Sequence, residues 1–518
     1  MKKGVDITLI KVKTATMHGL DMLDVVVEVN ITSRGFPSFD IVGMASKSVQ
    51  ESRERVRSAL IASGFEFPQK KILVNLIPAD MQKGGTAFDF PIAAAIIAHL
   101  CNKSLPANTY FYGELSLSGD LNYTKGCFNL GLHILHSGKK GRILIPKRSE
   151  GEVKLLEGLA YIPFSNLKEL SLILGREDGI KLSYGQKVYS NIERPIKNDT
   201  HLLEHIKGQE RAKRALLVSL CGWHNIMFIG SPGTGKTMLA NSIPAMLPQL
   251  SYEDSIEVTR IYSSTGLLNE STFLIEETPF RTLHHSASMA GIIGGGNPFR
   301  VGEIGLAHKG VLFFDELPEF PSRILDFLRQ PLEDKHINLA RFNYKITIPS
   351  DFLLVATANP CSCGYYGSKV KDCICTTAQR QRYFSKISGA ILDRVDIIVP
   401  VNLQEESGSS VSEYNSTKYF KKIIERVRTK HKNSLISKTV AKGNIKDESK
   451  GFTLNSKTQK LFDQASRSLN ISMRSQVKIL NMSRTIADIE EKTEIEEAHM
   501  LEAISYRTSY LSTFNKYY

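Results

Sequence analysis

The chain lacks any long apolar segment. No run in its 518 residues approaches the ~20 apolar residues that a bilayer-spanning helix needs, and MKKGVDITLIKVKTATMHGLDML at the start contains no apolar stretch of signal-peptide length. A secreted disulfide framework is also missing, because the seven cysteines are odd in number and four of them crowd between residues 361 and 375. We therefore expect a cytoplasmic protein without a membrane partner.

Acidic residues are outnumbered by basic ones. The chain holds 66 Lys and Arg against 53 Asp and Glu, which gives a net charge of +13. This balance favours a polyanionic partner, although many basic proteins bind no nucleic acid. The chain is too long to fold around one hydrophobic core, which predicts about two to four domains. We find no internal repeat in its sequence.

The first part of the chain, about 1–190, is predicted to be a compact α+β domain. LDVVVEVNI and KILVNLIPA are β-branched runs of strand length, and KSVQESRERVRSALIASG and FDFPIAAAIIAHL have helical patterns. YFYGELSLSGDLNYT predicts a strand pair that turns at Gly119–Asp120. The polar segment 191–203 is predicted to be a linker.

Residues 204–403 show a different pattern, in which a strand is followed by a glycine-rich loop and then by a helix. WHNIMFIG, KGVLFFDEL and FLLVATAN are apolar strands that alternate with helical segments, which predicts a parallel sheet covered on both faces. The first strand runs into a complete P-loop, formed by Gly230, Ser231, Pro232, Gly233, Thr234, Gly235, Lys236 and Thr237. In such a loop Lys236 reaches the β- and γ-phosphates, and the Thr237 hydroxyl is a ligand of Mg²⁺.

The next two strands end in polar residues suited to ATP hydrolysis. Asp315 and Glu316 follow VLFF, where Asp315 would hold Mg²⁺ and Glu316 would polarise the attacking water; the alternative is a helix-capping pair. Asn359 ends FLLVATAN and could help to place that water, although a strand-end Asn is often only a turn residue.

Four cysteines follow Asn359 directly. Cys361, Cys363, Cys373 and Cys375 form two CxC pairs on a polar loop, a set that can close a tetrahedral Zn²⁺ site. CxC is less common in zinc sites than CxxC, so free thiols and, more remotely, an iron–sulfur cluster stay open. Tyr and Lys side chains in the same loop suit contacts with DNA.

The C-terminal part is polar and then helical. Segment 404–455 is rich in lysine and is predicted to be a basic linker or a DNA-facing arm. Residues 456–518 carry helical patterns. Arg394 in ILDRVDI and Arg474 in ISMRSQVKIL are either surface ion-pair partners or arginines that stabilise charge on a transferred phosphoryl group.

Together these motifs resemble the ComM/YifB group of bacterial magnesium-chelatase-like AAA+ ATPases. The resemblance rests on GSPGTGKT, FRTLHHSASMAGIIGGGNPFRVGEIGLAHKGVLFFDELPEF, TANPCSCG, ILDRVDI and SMRSQVKILNMSRTIADI. It implies an AAA+ core with ATP and Mg²⁺ as cofactors, Arg394 as the arginine finger, Arg474 as the second sensor of a helical lid at 456–518, and an insert within helix two at about 281–306. For that insert, which includes His284 and His285, the alternative is a flexible turn with surface histidines.

The resemblance extends to activity and to the N-terminal domain. Members of the ComM type are associated with hexameric rings that drive DNA branch migration in recombination during natural transformation, which implies single-stranded or branched DNA and recombination proteins as partners. Remodelling of a protein partner and a nucleotide-gated adaptor are the alternatives. The N-terminal domain resembles the proteolytic domain of Lon, with Thr86 in place of the nucleophilic serine, Phe128 near the place of the partner lysine and Lys125 offset, so we expect no peptidase activity.

Overall fold

The computed structural model describes residues 7–138, 141–175, 181–187, 202–268, 273–296, 299–341, 344–369, 371–402, 416–433, 454–469 and 471–514. The predicted linker 191–203 lies outside these ranges except for its last two residues. Within the described ranges, no helix has both the length and the apolar character needed to cross a membrane.

The N-terminal domain is built on one mixed, eight-stranded sheet. Its strands are β1 Ile7–His18, β2 Asp21–Thr32, β3 Ser38–Val42, β4 Lys71–Ile77, β5 Thr109–Phe111, β8 Arg142–Pro146, β9 Ala160–Phe164 and β10 Ser183–Tyr184, in the spatial order β10-β9-β8-β5-β1-β2-β4-β3. The two remaining strands, β6 Glu114–Leu115 and β7 Leu121–Asn122, pair with each other. They form the strand pair predicted around Gly119–Asp120, and Gly119 there has a φ of +90°.

Five α-helices accompany this sheet in the described part of the domain. They are α1 Lys47–Gln50, α2 Ser52–Ala62, α3 Asp89–Cys101, α4 Cys127–His136 and α5 Glu150–Lys154. Helix α3 is apolar almost all round and is the centre of the domain core, because residues Asp89 to Ala98 are all buried. Its one buried carboxylate, Asp89, accepts two hydrogen bonds from Arg55, at 2.7 and 3.0 Å.

The second domain contains the predicted parallel sheet. Its strands are β11 Ile226–Ile229, β12 Phe280–Leu283, β15 Val311–Phe314, β18 Leu353–Ala358 and β19 Ile397–Pro400, in the order β12-β15-β18-β11-β19, with every pair parallel. The central strands β15, β18 and β11 are buried at every position, as expected for a sheet covered on both faces.

Helices and two short hairpins surround this sheet. The helices are α6 Glu210–Gly222, α7 Lys236–Asn241, α8 Ile243–Met246, α9 Tyr252–Thr265, α10 Met289–Ile293, α11 Glu303–Leu306, α12 Ser322–Phe327, α13 Arg329–Asp334, α14 Thr377–Phe384 and α15 Gly389–Leu392. The hairpins pair β13 Gly294–Gly295 with β14 Arg300–Val301, and β16 His336–Arg341 with β17 Tyr344–Pro349. Because β12 is an edge strand of the core sheet, the first three residues of the predicted insert, 281–283, belong to that sheet.

The C-terminal helices are α16 Thr417–Asn433, α17 Ser456–Ser468, α18 Met473–Ile489 and α19 Glu497–Phe514. Helix α16 corrects the prediction of a basic linker or arm over 404–455. Phe420, Ile423, Ile424 and Val427 recur at helical spacing, and all four are buried in the core shared with α6, α18 and α19. The many lysines at its other positions hide this apolar stripe in the sequence. Residues 404–415 and 434–453 of the predicted arm lie outside the described ranges.

The two domains contact each other through α9. The Ser263 hydroxyl donates to the buried Glu152 carboxylate at 3.0 Å, and the Tyr252 hydroxyl donates to the Leu155 carbonyl at 3.1 Å. Burial raises the pKa of Glu152, while hydrogen bonds from Tyr123 and from the Phe128 and Ser263 donors oppose this change. The N-terminal domain is therefore joined to the helix that precedes strand β12 of the core sheet.

Candidate functional site

The P-loop lies between strand β11 and helix α7, as predicted. Gly233 and Gly235 have φ values of +79° and +89°, and the space that a Cβ would enter at either residue is open. The buried Lys236 ammonium donates to the carbonyl oxygens of Gly230 and Ser231, at 2.6 and 2.8 Å. Burial lowers the pKa of Lys236 to about 8, against the opposing effect of the Glu316 and Asp315 carboxylates.

Four of the predicted side chains meet at the ends of strands β15 and β18. The Thr237 hydroxyl lies 3.2 Å from Asp315 Oδ1, and the Asn359 amide donates to Glu316 Oε1 at 3.1 Å. Parallel strands bring their carboxyl ends to one edge of the sheet, which is why residues far apart in sequence converge here.

Thr357 joins these two pairs and was not singled out from the sequence. Its buried hydroxyl donates to Asp315 Oδ1 at 2.6 Å and accepts from the Glu316 backbone N–H at 2.8 Å. Glu316 has a φ of +57°, a left-handed conformation that is unusual for a residue other than glycine. The Thr357 hydroxyl thus fixes the backbone that turns the Glu316 side chain towards Asn359.

The spacing of these oxygens fits Mg²⁺. Two oxygens bound to one Mg²⁺ at about 2.1 Å and at right angles lie about 3.0 Å apart, and Thr237 Oγ1 and Asp315 Oδ1 are 3.2 Å apart. The open glycine loop beside the Lys236 ammonium fits a phosphate chain. The arrangement can hold a metal–nucleotide complex with a carboxylate, that of Glu316, beside it.

The four predicted cysteine ligands come together. Their sulfur atoms all lie within 4.8 Å of one another. Cys361 Sγ is 3.3 Å from Cys363 Sγ and 3.7 Å from Cys373 Sγ, too far for a disulfide and close to the roughly 3.8 Å between sulfurs of a tetrahedral zinc site. This donor set fits Zn²⁺.

The cysteine loop also touches the P-loop. A Cβ added to Gly364 would lie 2.8 Å from two ring atoms of Pro232, so the two loops are in direct contact at a position that only glycine fills without displacement. Cys361 is fully buried and stands two residues after Asn359. The order of the cysteine loop therefore bears on both the phosphate loop and the strand end that carries Asn359.

Arg394 and Arg474 share one ion-pair partner. In the described part of the chain, the ion pairs of both arginines are with Glu333, and neither is with Asp315 or Glu316. Arg394 follows α15 and Arg474 stands in the first turn of α18. The structure thus divides the predicted site residues into two sets.

Gln209 is a second residue at this site that was not singled out from the sequence. Its side-chain amide donates to the Asn402 carbonyl at 2.6 Å and to the Thr234 carbonyl of the P-loop at 3.4 Å. It ties the phosphate loop to the chain that follows strand β19. A φ of +60° immediately before α6 is the structural feature that marks it.

Three family models match the chain, and their matched regions follow one another. "Subunit ChlI of Mg-chelatase" matches residues 27–149, "Magnesium chelatase, subunit ChlI" matches 202–408, and "Magnesium chelatase, subunit ChlI C-terminal" matches 415–507. The "Magnesium-chelatase 38 kDa subunit" of Rhodobacter capsulatus is 25% identical over 171 residues, which is 30% of this chain and 49% of that protein.

Two relatives match over nearly their whole length. "Uncharacterized protein YifB" of Escherichia coli K12 is 37% identical over 506 residues, 96% of each chain. "Competence protein ComM" of Haemophilus influenzae is 37% identical over 491 residues, 93% of this chain and 94% of that protein. The chain belongs to the ComM/YifB family of magnesium-chelatase-like AAA+ ATPases.

The family models bear on the domain boundaries of this ComM/YifB protein. The C-terminal model begins at residue 415, so it includes helix α16 together with α17, α18 and most of α19. The helical unit thus starts about 40 residues before the predicted boundary at 456, in agreement with the packing of Phe420 and Ile424 into the shared core.

In the N-terminal domain of this ComM/YifB protein, Thr86 has an acidic partner. Its hydroxyl donates to the Glu114 carboxylate, while Lys125 is exposed and Phe128 is fully buried. At the place predicted for a nucleophile, Thr86 is bonded to a carboxylate. At the place predicted for the base, Phe128 is part of the core. The likeness of this domain to Lon stays a prediction.

Proposed function

We propose that this protein is the subunit of a ring-forming, ATP-driven DNA motor, a branch-migration helicase that acts in homologous recombination during natural transformation. The observation that carries the proposal is the match to the competence protein ComM, which is 37% identical over 491 residues and 93% of this chain. The net charge of +13 supports a polyanionic partner.

ATP hydrolysis would use the residues that meet at the strand ends. Lys236 places positive charge on the β- and γ-phosphates, and Thr237 with Asp315 holds the Mg²⁺ that neutralises the developing charge. Glu316 accepts a proton from the attacking water. Asn359 holds the Glu316 carboxylate by their 3.1 Å hydrogen bond, which keeps that base pointed at one place.

The position of the arginines supports ring formation. Arg394 and Arg474 share Glu333, and within the described residues neither pairs with Asp315 or Glu316. An arginine that stabilises the transferred phosphoryl group must reach it, so these two would act on ATP bound by a neighbouring subunit. A closed ring, which we infer to be a hexamer, gives every subunit such a neighbour.

The cysteine loop would bind Zn²⁺ and contribute to DNA binding. The Lys371 ammonium lies 5.0 Å from the centre of the Tyr365 ring, and the Arg380 guanidinium lies 4.3 Å from that of Tyr366. Aromatic rings with cations beside them suit base stacking and phosphate contacts. Replacement of Lys369 and Lys371 by alanine should weaken DNA binding and reduce its salt dependence; an unchanged affinity and salt slope would remove this contact from the account.

The exposed part of the insert is the second proposed DNA-facing element. His284 and His285 are exposed, while Ile292 and Ile293 are buried and anchor the segment that carries them. The Arg281 guanidinium binds the Glu303 carboxylate at 2.6 and 2.9 Å and closes the base of this segment. We propose that the exposed histidines of this insert face DNA in the pore of the ring.

ATP turnover with and without DNA tests the proposal. The purified protein is assayed alone, with single-stranded DNA and with a mobile four-way junction, at low and moderate salt. The proposal predicts that DNA raises turnover and that salt reduces this stimulation. If turnover ignores DNA under every condition, the DNA motor is excluded.

The second candidate function is ATP-driven remodelling of a protein partner. The observation that favours it is the direct bonding of the N-terminal domain to α9, through Ser263 with Glu152 and Tyr252 with the Leu155 carbonyl, which would pass core motions to that domain. Turnover that responds to a captured protein and not to DNA would favour it. A nucleotide-gated adaptor is the third, non-enzymatic candidate, and the adjacent Glu316 and Asn359 side chains argue against it.

A further inference from the structure

Glu333, on α13, binds both predicted catalytic arginines at once. Arg474 Nη2 donates to Glu333 Oε1 at 2.9 Å, and Arg394 Nη2 donates to Glu333 Oε2. Each carboxylate oxygen thus serves one guanidinium. The hydrogen bond from Arg394 holds the pKa of Glu333 below its usual range; burial opposes this change, and the charges of Arg394 and Arg474 add to it.

The segments that carry the two arginines are fixed to each other. Lys478 donates to the Asp393 carbonyl at 2.6 Å and pairs with Asp396 at 2.7 Å. Lys478 and Arg474 are one turn apart on α18, and Asp393 is the residue before Arg394. The backbones of the two arginines are therefore held as one unit, independently of Glu333.

The side chains are held less firmly than the backbones. The Arg394 side chain is 12% exposed and its Nη1 donates to the Ala390 carbonyl at 2.5 Å, whereas Arg474 and Glu333 are 45% and 47% exposed. Two guanidinium groups this close repel each other. The shared carboxylate offsets that repulsion and leaves one net positive charge on an open surface.

We propose that Glu333 is a positioning residue, which holds Arg394 and Arg474 side by side at one surface so that both reach the same nucleotide on a second copy of this chain. This inference rests on the proposed role of the two arginines. Without Glu333 the cations would separate. A shift of about 1 Å in a catalytic group can cost about 10²-fold in rate, so loss of the carboxylate should lower kcat while the P-loop still binds ATP.

The test uses Glu333→Ala and Glu333→Gln in the full chain. Asp334→Asn is the matched control, because Asp334 is the exposed acid beside Glu333 and makes no ion pair within the described residues. We expect Glu333→Ala to lower kcat about 10²-fold, with little change in the affinity for a fluorescent ATP analogue. Glu333→Gln keeps one accepting oxygen, so its kcat should be intermediate, and Asp334→Asn should match the parent.

A double-mutant cycle separates positioning from a general structural effect. If Glu333 acts through the arginines, Glu333→Gln should add no further loss of kcat to an Arg394→Ala, Arg474→Ala double variant. An additive loss, or parental kcat in Glu333→Gln and Glu333→Ala, overturns the inference. If Arg394→Ala and Arg474→Ala themselves keep parental turnover, the proposed role of the arginines fails first, and the two failures are thereby distinguished.

Discussion

Asn359 donates a 3.1 Å hydrogen bond to the carboxylate of Glu316, across the neighbouring ends of strands β18 and β15. This contact joins a strand-end amide to the carboxylate that we propose as the general base. We propose that Asn359 orients Glu316, a more specific role than the help in placing water that was predicted from the sequence. The same strand ends hold Asp315 and Thr357, so the residues that we propose for the reaction lie at one edge of the sheet.

Glu316→Gln should abolish turnover without abolishing ATP binding. The amide keeps the size of the side chain but cannot accept a proton, and general base catalysis is worth about 10²–10⁴ in rate. Turnover and the affinity for a fluorescent ATP analogue are measured on the same preparation. Glu319→Gln is the control, since within the described residues the one ion pair of Glu319 is with Lys386, at 3.9 Å on the surface. Equal losses in both variants would contradict a special role for Glu316.

ATP affinity should depend on pH through Lys236. The pKa of this ammonium is about 8 in the nucleotide-free chain, so the group is mostly charged below that pH and mostly neutral above it. ATP binds the charged form better, so affinity should be constant up to about pH 8 and then fall by up to about tenfold per pH unit.

Calorimetry across this pH range measures both the affinity and the proton taken up. Lys236→Arg is the control, because a guanidinium stays charged throughout and its affinity should not fall in the same way. A parental affinity that stays flat to about pH 9.5, with no proton uptake, would contradict the role of the amine.

Thr357→Val should destabilise the core and weaken the metal site together. Valine matches the shape of threonine but leaves the Glu316 N–H without its acceptor and removes one of the two hydroxyls that lie beside Asp315 Oδ1, which costs about 1–3 kcal/mol. Denaturant unfolding and the Mg²⁺ dependence of turnover measure the two effects. Thr347→Val, which removes an exposed hydroxyl bonded to Asn338, is the control and should change neither.

Removal of metal from the cysteine loop should affect nucleotide binding. We expect one Zn²⁺ per chain, and its loss should free the loop that packs Gly364 on Pro232 and so weaken ATP binding. Metal content, thermal unfolding and affinity for an ATP analogue are compared before and after chelation and in Cys373→Ser. Cys101→Ser is the control, as this cysteine lies in the N-terminal domain. If the metal-free parent kept its full ATP affinity, metal binding at the cysteine loop and ATP binding at the P-loop would be independent.

The sequence predicted those parts of the site that belong to contiguous motifs. Lys236, Asp315 and Asn359 stand beside apolar strands, and the alternation of strand and helix predicts that these strands form a parallel sheet. Thr357 was missed because it lies within the buried strand β18, and nothing in the local sequence indicates which residues its hydroxyl contacts. Glu333 was missed because its two partners are 61 and 141 residues away in sequence.

The fold was predicted less well where composition hid periodicity. In α16 the lysine content suggested a linker, yet Phe420, Ile423, Ile424 and Val427 form an apolar stripe that is buried in the core. The pairing of β16 with β17 was not predicted either. Polar residues in this short hairpin hide the alternation of its apolar side chains, so the segment resembles a loop. In both places tertiary packing decided the structure.

Strand separation of a mobile four-way junction tests directly whether the protein uses ATP to move DNA. Labelled junction DNA is incubated with the protein and ATP, with a non-hydrolysable ATP analogue, and with Glu316→Gln and Lys236→Ala in place of the parent. If the protein is an ATP-driven DNA motor, we expect the strands to separate only with the parent protein and hydrolysable ATP. Junctions that stay intact while the parent hydrolyses ATP at full rate would contradict the claim that this ATPase moves DNA.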